Sequence, residues 1–514
     1  MIPSPFRILL LLLVAGYSAA AQNTQDRLPR SLPEKEGVSA AGISQFIDAT
    51  THSRTEFHSF VFLRHGKVVA EGWWDPYAPA LKQTLYSTSK SFTAAAVGFA
   101  LTEGRLHLAD KIVSFFPNDL PSPVPPFLAE LTVRDALMMS DGQEPDPTPL
   151  VVVDTNWARR FLRIPILHEP GTKFLYNSAG TYMLAAVVQK VTGQTVLDYL
   201  RPRLFEPLGI TGEDWETSPQ GVNTGGWGLR LKTEDMAKFG QLYLQGGRWK
   251  GKQLLPRSWV KEATTVKIMQ DPDAPQAKKD SSDWLQGYCY QMWRCRHNGV
   301  RADGAFGQFI IMLPDEDAVI AIQAETPDMQ EEINLVWRYL LPAMHPGTLP
   351  ADPDADAALK EQLAKLALPP LPLSAPPSSD LFNGKTFTLE SNPKKMQSVS
   401  FNIVGNLCHL TVKGDTAVYH LTFGDGRWAA GQTTRPGPNL LTGAVHHDVG
   451  FPAFPTAGSY QFIDDHTLKL LLRYIESPHS ETMICHIDGN NLTIEDQNSY
   501  QYGKGTITIR GTAD

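Results

Sequence analysis

Tyr86-Ser87-Thr88-Ser89-Lys90-Ser91-Phe92-Thr93 opens an Ala-rich apolar run, residues 92–101, that Gly104 closes. The run predicts a helix that starts at Ser87 and stops at Gly104. Ser87 and Lys90 then stand at i and i+3 on one face, so the lysine amine can reach the serine hydroxyl. A serine hydroxyl is a weak nucleophile and needs a neighbouring base and a place for developing charge. A helix start offers unpaired backbone N–H groups, that of Ser87 among them. A lysine taken out of water loses its proton more readily and can act as the base. The spacing S-x-x-K is weak evidence alone, because Ser391-Asn392-Pro393-Lys394 also matches. There Pro393 disfavours a helix interior, and that copy reads as chance. On spacing alone, a helix-capping serine beside a solvated lysine is the better explanation of Ser87.

Outward from this stretch the pattern mixes strands and helices. Residues 60–63 and 68–70 read as a hairpin joined by Arg64-His65-Gly66-Lys67. Thr132-Val133-Arg134-Asp135 reads as a capping-box variant with Asp in place of Glu. Residues 179–191 read as an apolar helix ended by Gly193, and residues 305–313 and 317–323 as strands joined at Pro314-Asp315. Strands at both ends of a domain that encloses helices predict one sheet assembled from distant segments. Residues 346–380 are rich in Pro and Ala and predict a linker with one helical pattern near residues 357–366. After it, short alternating segments separated by Asn, Asp and Gly predict an antiparallel sandwich or barrel over residues 381–514.

Several ordered segments carry a resemblance. Tyr86 to Thr93, Leu137-Met138-Met139-Ser140-Asp141-Gly142, Glu169-Pro170-Gly171-Thr172-Lys173-Phe174, Phe239-Gly240-Gln241-Leu242-Tyr243 and Gly304-Ala305-Phe306-Gly307-Gln308 occur in order. Together they resemble the serine β-lactamase and penicillin-binding-protein superfamily. The closest likeness is to its class C-like branch, with its esterases, D-aminopeptidases and 6-aminohexanoate-dimer hydrolases. The resemblance covers residues 45–325 and implies an α/β (α+β) hydrolase domain over residues 30–345. In that fold an antiparallel sheet flanked by helices is paired with a helical subdomain, and a C-terminal all-β domain follows here.

Tyr176-Asn177-Ser178 stands where the branch carries its Y-x-N motif, with Ser178 in place of Asn. The resemblance implies that Lys90 and Tyr176 handle the Ser87 proton. A neighbouring ammonium would favour the Tyr176 phenolate. Ala302-Asp303-Gly304 stands where lactamases place K-T-G, so the lysine that holds a substrate carboxylate is missing. Gly304 remains, the Ala305 N–H is the expected second oxyanion donor, and Ser178, Gly304 and Gln308 are the expected substrate contacts. Arg301 next door reads as a solvated edge residue. A rival reading makes Ser140-Asp141-Gly142 an S-D-N relay, but Gly142 lacks the amide and Tyr176 would have no task. Trp227, Trp284 and Trp293 could line a cleft, although large aromatics more often sit in cores.

Composition bounds the rest. The chain has 514 residues, 42% hydrophobic and 19% charged, with a net charge of −8 and no basic run, which argues against nucleic acid as the main partner. Residues 1–21 read as a cleaved secretion signal, with Arg7, an apolar run over residues 8–15, and Ala19-Ala20-Ala21 before Gln22. The expected mature protein is periplasmic or secreted, without a membrane span. Cys289, Cys295, Cys408 and Cys485 allow two disulfides in an oxidising compartment, with 289–295 and 408–485 the favoured pairs. His446-His447 and Cys408-His409 lack zinc-site spacing and read as surface residues. There is no G-x-S-x-G, H-E-x-x-H or P-loop. No metal or organic cofactor is expected. The expected function is cleavage of an ester or amide through an acyl-enzyme on Ser87. The alternatives are a catalytically silent penicillin-binding-like sensor, and a β-lactamase or D-amino-acid peptidase.

Overall fold

The computed structural model describes residues 27–374, 381–441 and 443–514. The leader expected over residues 1–21 and the linker end at 375–380 lie outside them. Strands β1 (Glu56–Arg64) and β2 (Lys67–Trp73) form the expected hairpin. Its turn takes φ of 51° at His65 and 73° at Gly66, the turn sense that suits the twist of paired strands. Strands β3 (Trp293–Arg294), β4 (Val300–Gly304), β5 (Gln308–Leu313) and β6 (Ala318–Glu325) complete an antiparallel sheet in the order β2-β1-β6-β5-β4-β3. The chain's early hairpin thus pairs with its later strands, Phe62 lying opposite Ile320.

Helices cover both faces. Val61 and Leu63 join one core while Phe60 and Phe62 join another, because successive strand residues point to opposite faces. Helices α2 (Ser89–Thr102), α3 (Ser178–Thr192) and α4 (Thr233–Leu244) build the first core. Helix α1 (Ala40–Thr51) and residues 329–343 build the second. The capping box at Thr132 is present, with Asp135 in the N3 role. Helix α3 starts at an Asn177 cap and ends at Gly193, whose φ of 72° suits a residue without a Cβ.

The Pro/Ala-rich stretch is held against the first unit. Helix α5 (Pro353–Ala364) packs on α1, and the Gln362 amide donates to Asp48 Oδ1 at 2.6 Å. Farther on, Leu368 N donates to Asp75 O at 2.7 Å.

The C-terminal strands are β7 (Thr386–Leu389), β8 (Met396–Val404), β9 (Leu407–Gly414), β10 (Val418–Asp425) and β11 (Ala429–Thr433). After a long loop come β12 (Phe454–Asp464), β13 (Thr467–Tyr474), β14 (Ser480–Asp488), β15 (Asn491–Asn498) and β16 (Ile507–Ala513). They form one sheet in the order β10-β9-β8-β7-β16-β15-β14-β13-β12-β11, and β12 also pairs in parallel with β10. That pairing closes the sheet, so the all-β unit is a barrel. Inward residues such as Phe401, Leu410, Leu470 and Ile494 fill its interior.

The expected disulfides do not form. All four cysteines are free and buried. Burial pushes the Cys289 and Cys408 thiols up to about 12 and Cys295 up to about 11, so the thiolate that disulfide chemistry needs is scarce. Arg301 Nη1 also donates to Cys295 Sγ at 3.2 Å.

Barrel and hydrolase unit meet along a polar seam. Arg473 on β13 donates to both Glu56 oxygens at 2.5 and 2.9 Å, and Arg230 Nη1 to Glu476 Oε2 at 3.0 Å. His446 and His447 lie in this seam and not on open surface, a correction to the sequence reading. His446 Nδ1 is 3.2 Å from Thr217 O, and His447 lies between Glu216 and Asp448 at 3.2 and 3.0 Å. Cys408 likewise points into the barrel core, because its strand position faces inward.

Candidate active site

Every polar side chain in the opening stretch has a defined task. Tyr86–Thr88 forms a 3₁₀ turn and the α-helix starts at Ser89, two residues later than expected. Thr88 Oγ1 donates to Gln308 O at 2.7 Å, tying the turn to β5. Ser91 Oγ donates to Gln291 O and Thr93 Oγ1 to Gly225 O, both at 2.8 Å. These bonds leave Ser87 facing a cleft, with Lys90 buried behind it. Lys90 Nζ donates to Ser87 Oγ at 3.0 Å, Ser178 Oγ at 2.9 Å and Gly226 O at 2.7 Å.

Tyr176 completes the group. Its hydroxyl is within hydrogen-bond reach of Ser87, and Lys90 Nζ lies 4.9 Å from its ring centre. Asn177 is what fixes Tyr176 and Ser178 on either side of it. Its Oδ1 caps α3 by accepting from Gly180 N at 2.8 Å, and its amide donates to Gln143 Oε1 at 3.0 Å.

The electrostatics separate the two proton handlers. Burial lowers the Lys90 ammonium to about 7, although Asp146 and Asp303 oppose the shift. Burial moves Tyr176 the other way, above its ordinary value, against the bond from Ser87. Near neutral pH the labile proton is therefore on Lys90, and Tyr176 stays a neutral phenol. This runs against the expected phenolate, because desolvation is the largest influence on each group and favours the neutral form of both.

Ala305 shares the cleft with Ser87, on a turn where Phe306 and Gly307 take φ of 65° and 95°. Gly304 has no room for a side chain: a Cβ there would lie 2.2 Å from Leu85 O and 2.9 Å from Gln308 Cβ. Gly304→Ala is expected to push β4 away from the 86–88 turn and lower kcat about 100-fold, as measured by steady-state ester hydrolysis.

Gln308 does not contact the cleft. Its side chain is buried, and Nε2 donates to Ala324 O at 2.6 Å, because β5 turns that face toward β6. Arg301 is not solvated. It is fully buried, paired with Asp303 at 2.9 Å, and stacked over Trp284 at 4.3 Å. Ser140 is buried too, and its hydroxyl donates to Asp135 O at 3.1 Å, which leaves no relay role in the cleft.

The cleft holds about 540 Å³. Trp227, Trp284 and Trp293 line it together with Thr148 and Pro149, and among the described residues no arginine or lysine does. Its acidic groups are Asp146 and Asp303. The sequence reading missed Gly226 as a lysine acceptor, Asp146 as a cleft carboxylate, and Leu440 and Leu441 as cleft walls. The first had a signal, the run Thr224-Gly225-Gly226-Trp227-Gly228, in which Gly225 and Gly228 take φ of 66° and 84°. The leucines had none, since they come from the barrel unit.

Tyr86, beside Ser87, is held from across the seam. It takes a φ of 47°, rare for a residue with a side chain. Its hydroxyl is 2.6 Å from His479 Nε2, and His479 Nδ1 is 2.8 Å from Glu325 Oε1, which also accepts from Ser499 Oγ at 2.8 Å. His479→Phe would leave a buried phenol and a buried carboxylate without that partner. It is expected to reduce stability by about 2 kcal/mol in urea unfolding, and His479→Gln by less.

Among the described residues, Glu216, His447 and Asp448 place ligand-type atoms within 4.8 Å of one another. Burial acts to lower the His447 pKa, but the two carboxylates outweigh it and hold it up to about 10. The three groups thus satisfy one another as an ion pair at the seam.

A lysine-activated serine at the start of a buried helix, beside a tyrosine and a glycine-edged strand, defines a serine hydrolase of the penicillin-recognising kind. The chain belongs to the beta-lactamase family, whose model matches residues 52–342. It is 28% identical over 290 residues to the 6-aminohexanoate-dimer hydrolase of Paenarthrobacter ureafaciens, covering 52% of this chain and 73% of that protein. A solved structure titled "Putative 6-aminohexanoate-dimer hydrolase from Bacillus anthracis" superposes with a TM-score of 0.53 at 20% identity. It covers 63% of this chain and 89% of that one, and shows the shared fold. The chain is therefore an enzyme that hydrolyses amide or ester bonds.

Proposed function

We propose that the protein is an exported hydrolase that forms an acyl-enzyme on Ser87, with a neutral ester or amide as substrate. The observation that carries this reading is the 3.0 Å contact between Ser87 Oγ and the buried, easily deprotonated Lys90 amine. Neutral Lys90 takes the Ser87 proton as Oγ bonds to the substrate carbonyl carbon. The resulting oxyanion rests on the Ser87 and Ala305 N–H groups. As the carbonyl re-forms, the bond to the leaving group breaks and Lys90 returns the proton to it, directly or through the Tyr176 phenol, which receives one proton from Lys90 as it gives one up. Water then enters by the same steps in reverse and frees Ser87.

Among the described residues no arginine or lysine lines the cleft, which supports neutral substrates over those bearing a carboxylate. Asp303 at the K-T-G position is already paired with Arg301 and offers a substrate carboxylate no attraction. Purified protein is expected to turn over p-nitrophenyl butyrate at least tenfold faster, in kcat/KM, than nitrocefin. Export is supported by the Arg7, apolar-run and Ala19-Ala20-Ala21 pattern. N-terminal sequencing of protein from the growth medium or periplasm should then begin at Gln22. For the active centre, a fluorophosphonate probe followed by peptide mapping should place the label on Ser87. A label elsewhere, or none, overturns the reading.

A further inference from the structure

The beta-lactamase family model ends at residue 342, yet two walls of the cleft come from beyond it. Leu440 and Leu441 belong to the long loop between β11 and β12 of the barrel. They line the same 540 Å³ cleft as Ser87, Tyr176 and Ala305. Around them the lining is apolar: Pro149, Trp227, Trp284 and Trp293.

The loop is tied to the barrel just before these leucines and to the hydrolase unit just after them. Asn439 O accepts from Tyr500 Oη at 3.2 Å, and Val445 N donates to Val152 O at 2.8 Å. Farther along, His446 and His447 engage Thr217 and Glu216. Leu441 and Ala444 pack against the main hydrolase core, and the Leu440 backbone approaches the Tyr86 hydroxyl, one residue from Ser87. Leu440 itself stays 50% exposed. A large apolar side chain that is half in solvent, on an anchored loop, beside the reacting serine, is placed to be covered by something apolar that enters the cleft.

We propose that Leu440 and Leu441 are specificity-determining residues, and that they select substrates with an aliphatic or aromatic group next to the scissile carbonyl. The barrel thereby contributes to the active site instead of standing beside it. The proposal rests on Ser87 being the acyl-accepting group. An apolar wall of this kind discriminates by about tenfold or more per unit of substrate size, because each methylene taken from water is favourable.

The test compares kcat/KM for p-nitrophenyl acetate and hexanoate in the full-length protein. Wild type should favour hexanoate. Leu440→Ala, a change at a half-exposed site that should not perturb folding, is expected to lower the hexanoate-to-acetate ratio about threefold. Leu440→Ala with Leu441→Ala should lower it about tenfold, with a thermal melt run on each variant. Leu440→Asp, which puts a charge on the same wall, should lower it further than Leu440→Ala. A wild type that does not favour hexanoate, or folded variants whose ratio matches wild type, overturns the assignment while leaving Ser87 in place. Wild-type protein that neither labels at Ser87 nor hydrolyses either ester removes both readings together.

Discussion

Ser87→Ala is expected to lower kcat for p-nitrophenyl butyrate by about 10⁴-fold or more, the largest effect of any single change in this protein. The serine supplies the bond that splits one difficult step into two, and no other hydroxyl in the cleft stands where it could replace it. Ser178 is near and accepts from Lys90 Nζ at 2.9 Å, but it begins a different helix and does not stand at the start of the helix that carries Lys90. The fold should tolerate the change. Ser87 lies at the surface of the cleft, and the turn around it is held by Thr88 and by the Tyr86 hydroxyl, not by its own side chain. Unfolding in urea should therefore shift by no more than about 0.5 kcal/mol. Residual activity within tenfold of wild type would show that another group carries the reaction.

Lys90→Met is expected to lower kcat/KM by about 10²–10⁴-fold, the usual contribution of a positioned proton handler. The wild-type pH profile carries the sign of the effect. Burial lowers the Lys90 pKa to about 7 from 10.5, so the neutral amine accumulates as pH rises through 7. The rate should climb with pH up to about 7, level off above it, and lose that limb in Lys90→Met. The same shift bears on stability. Between about 7 and 10.5 the unfolded chain holds a proton on Lys90 that the folded chain has released. The contribution of this one group to stability therefore grows as pH rises through that window, and the cost of burying its charge is greatest below it. A rate that falls with rising pH between 6 and 8 would assign the base elsewhere. Tyr176, raised by burial, should remain protonated throughout that range.

The site shows which parts of such chemistry are readable in a linear chain. Ser87 and Lys90 are three residues apart and meet because one helical turn brings them together. Tyr176 was legible for a different reason: its motif stands in order with others along the chain, although nothing local says that it faces Ser87. Gln308 shows the limit of that logic. It lies in a matching segment, yet strand alternation turns its side chain to the interior, where its amide bonds Ala324 O. Arg301 and the cysteines show another limit. Burial is a property of the packed chain: it converted an expected surface cation into a buried partner of Asp303, and the four cysteines, all buried, are free.

Local pattern along the chain lays out a mixed hydrolase unit, a Pro-rich connection and an all-β unit, with a serine and a lysine one turn apart. Those features depend on periodicity, turn residues and short spacings, which act over a few residues. Packing between distant segments settles that the all-β strands close into a barrel, that its loop brings Leu440 and Leu441 to the cleft, and that burial lowers the Lys90 pKa while raising that of Tyr176. Barrel closure depends on β12 reaching back to β10, the wall on two units docking, and the proton on how completely water is excluded. Each is a sum over residues distant in the chain, which no local pattern records.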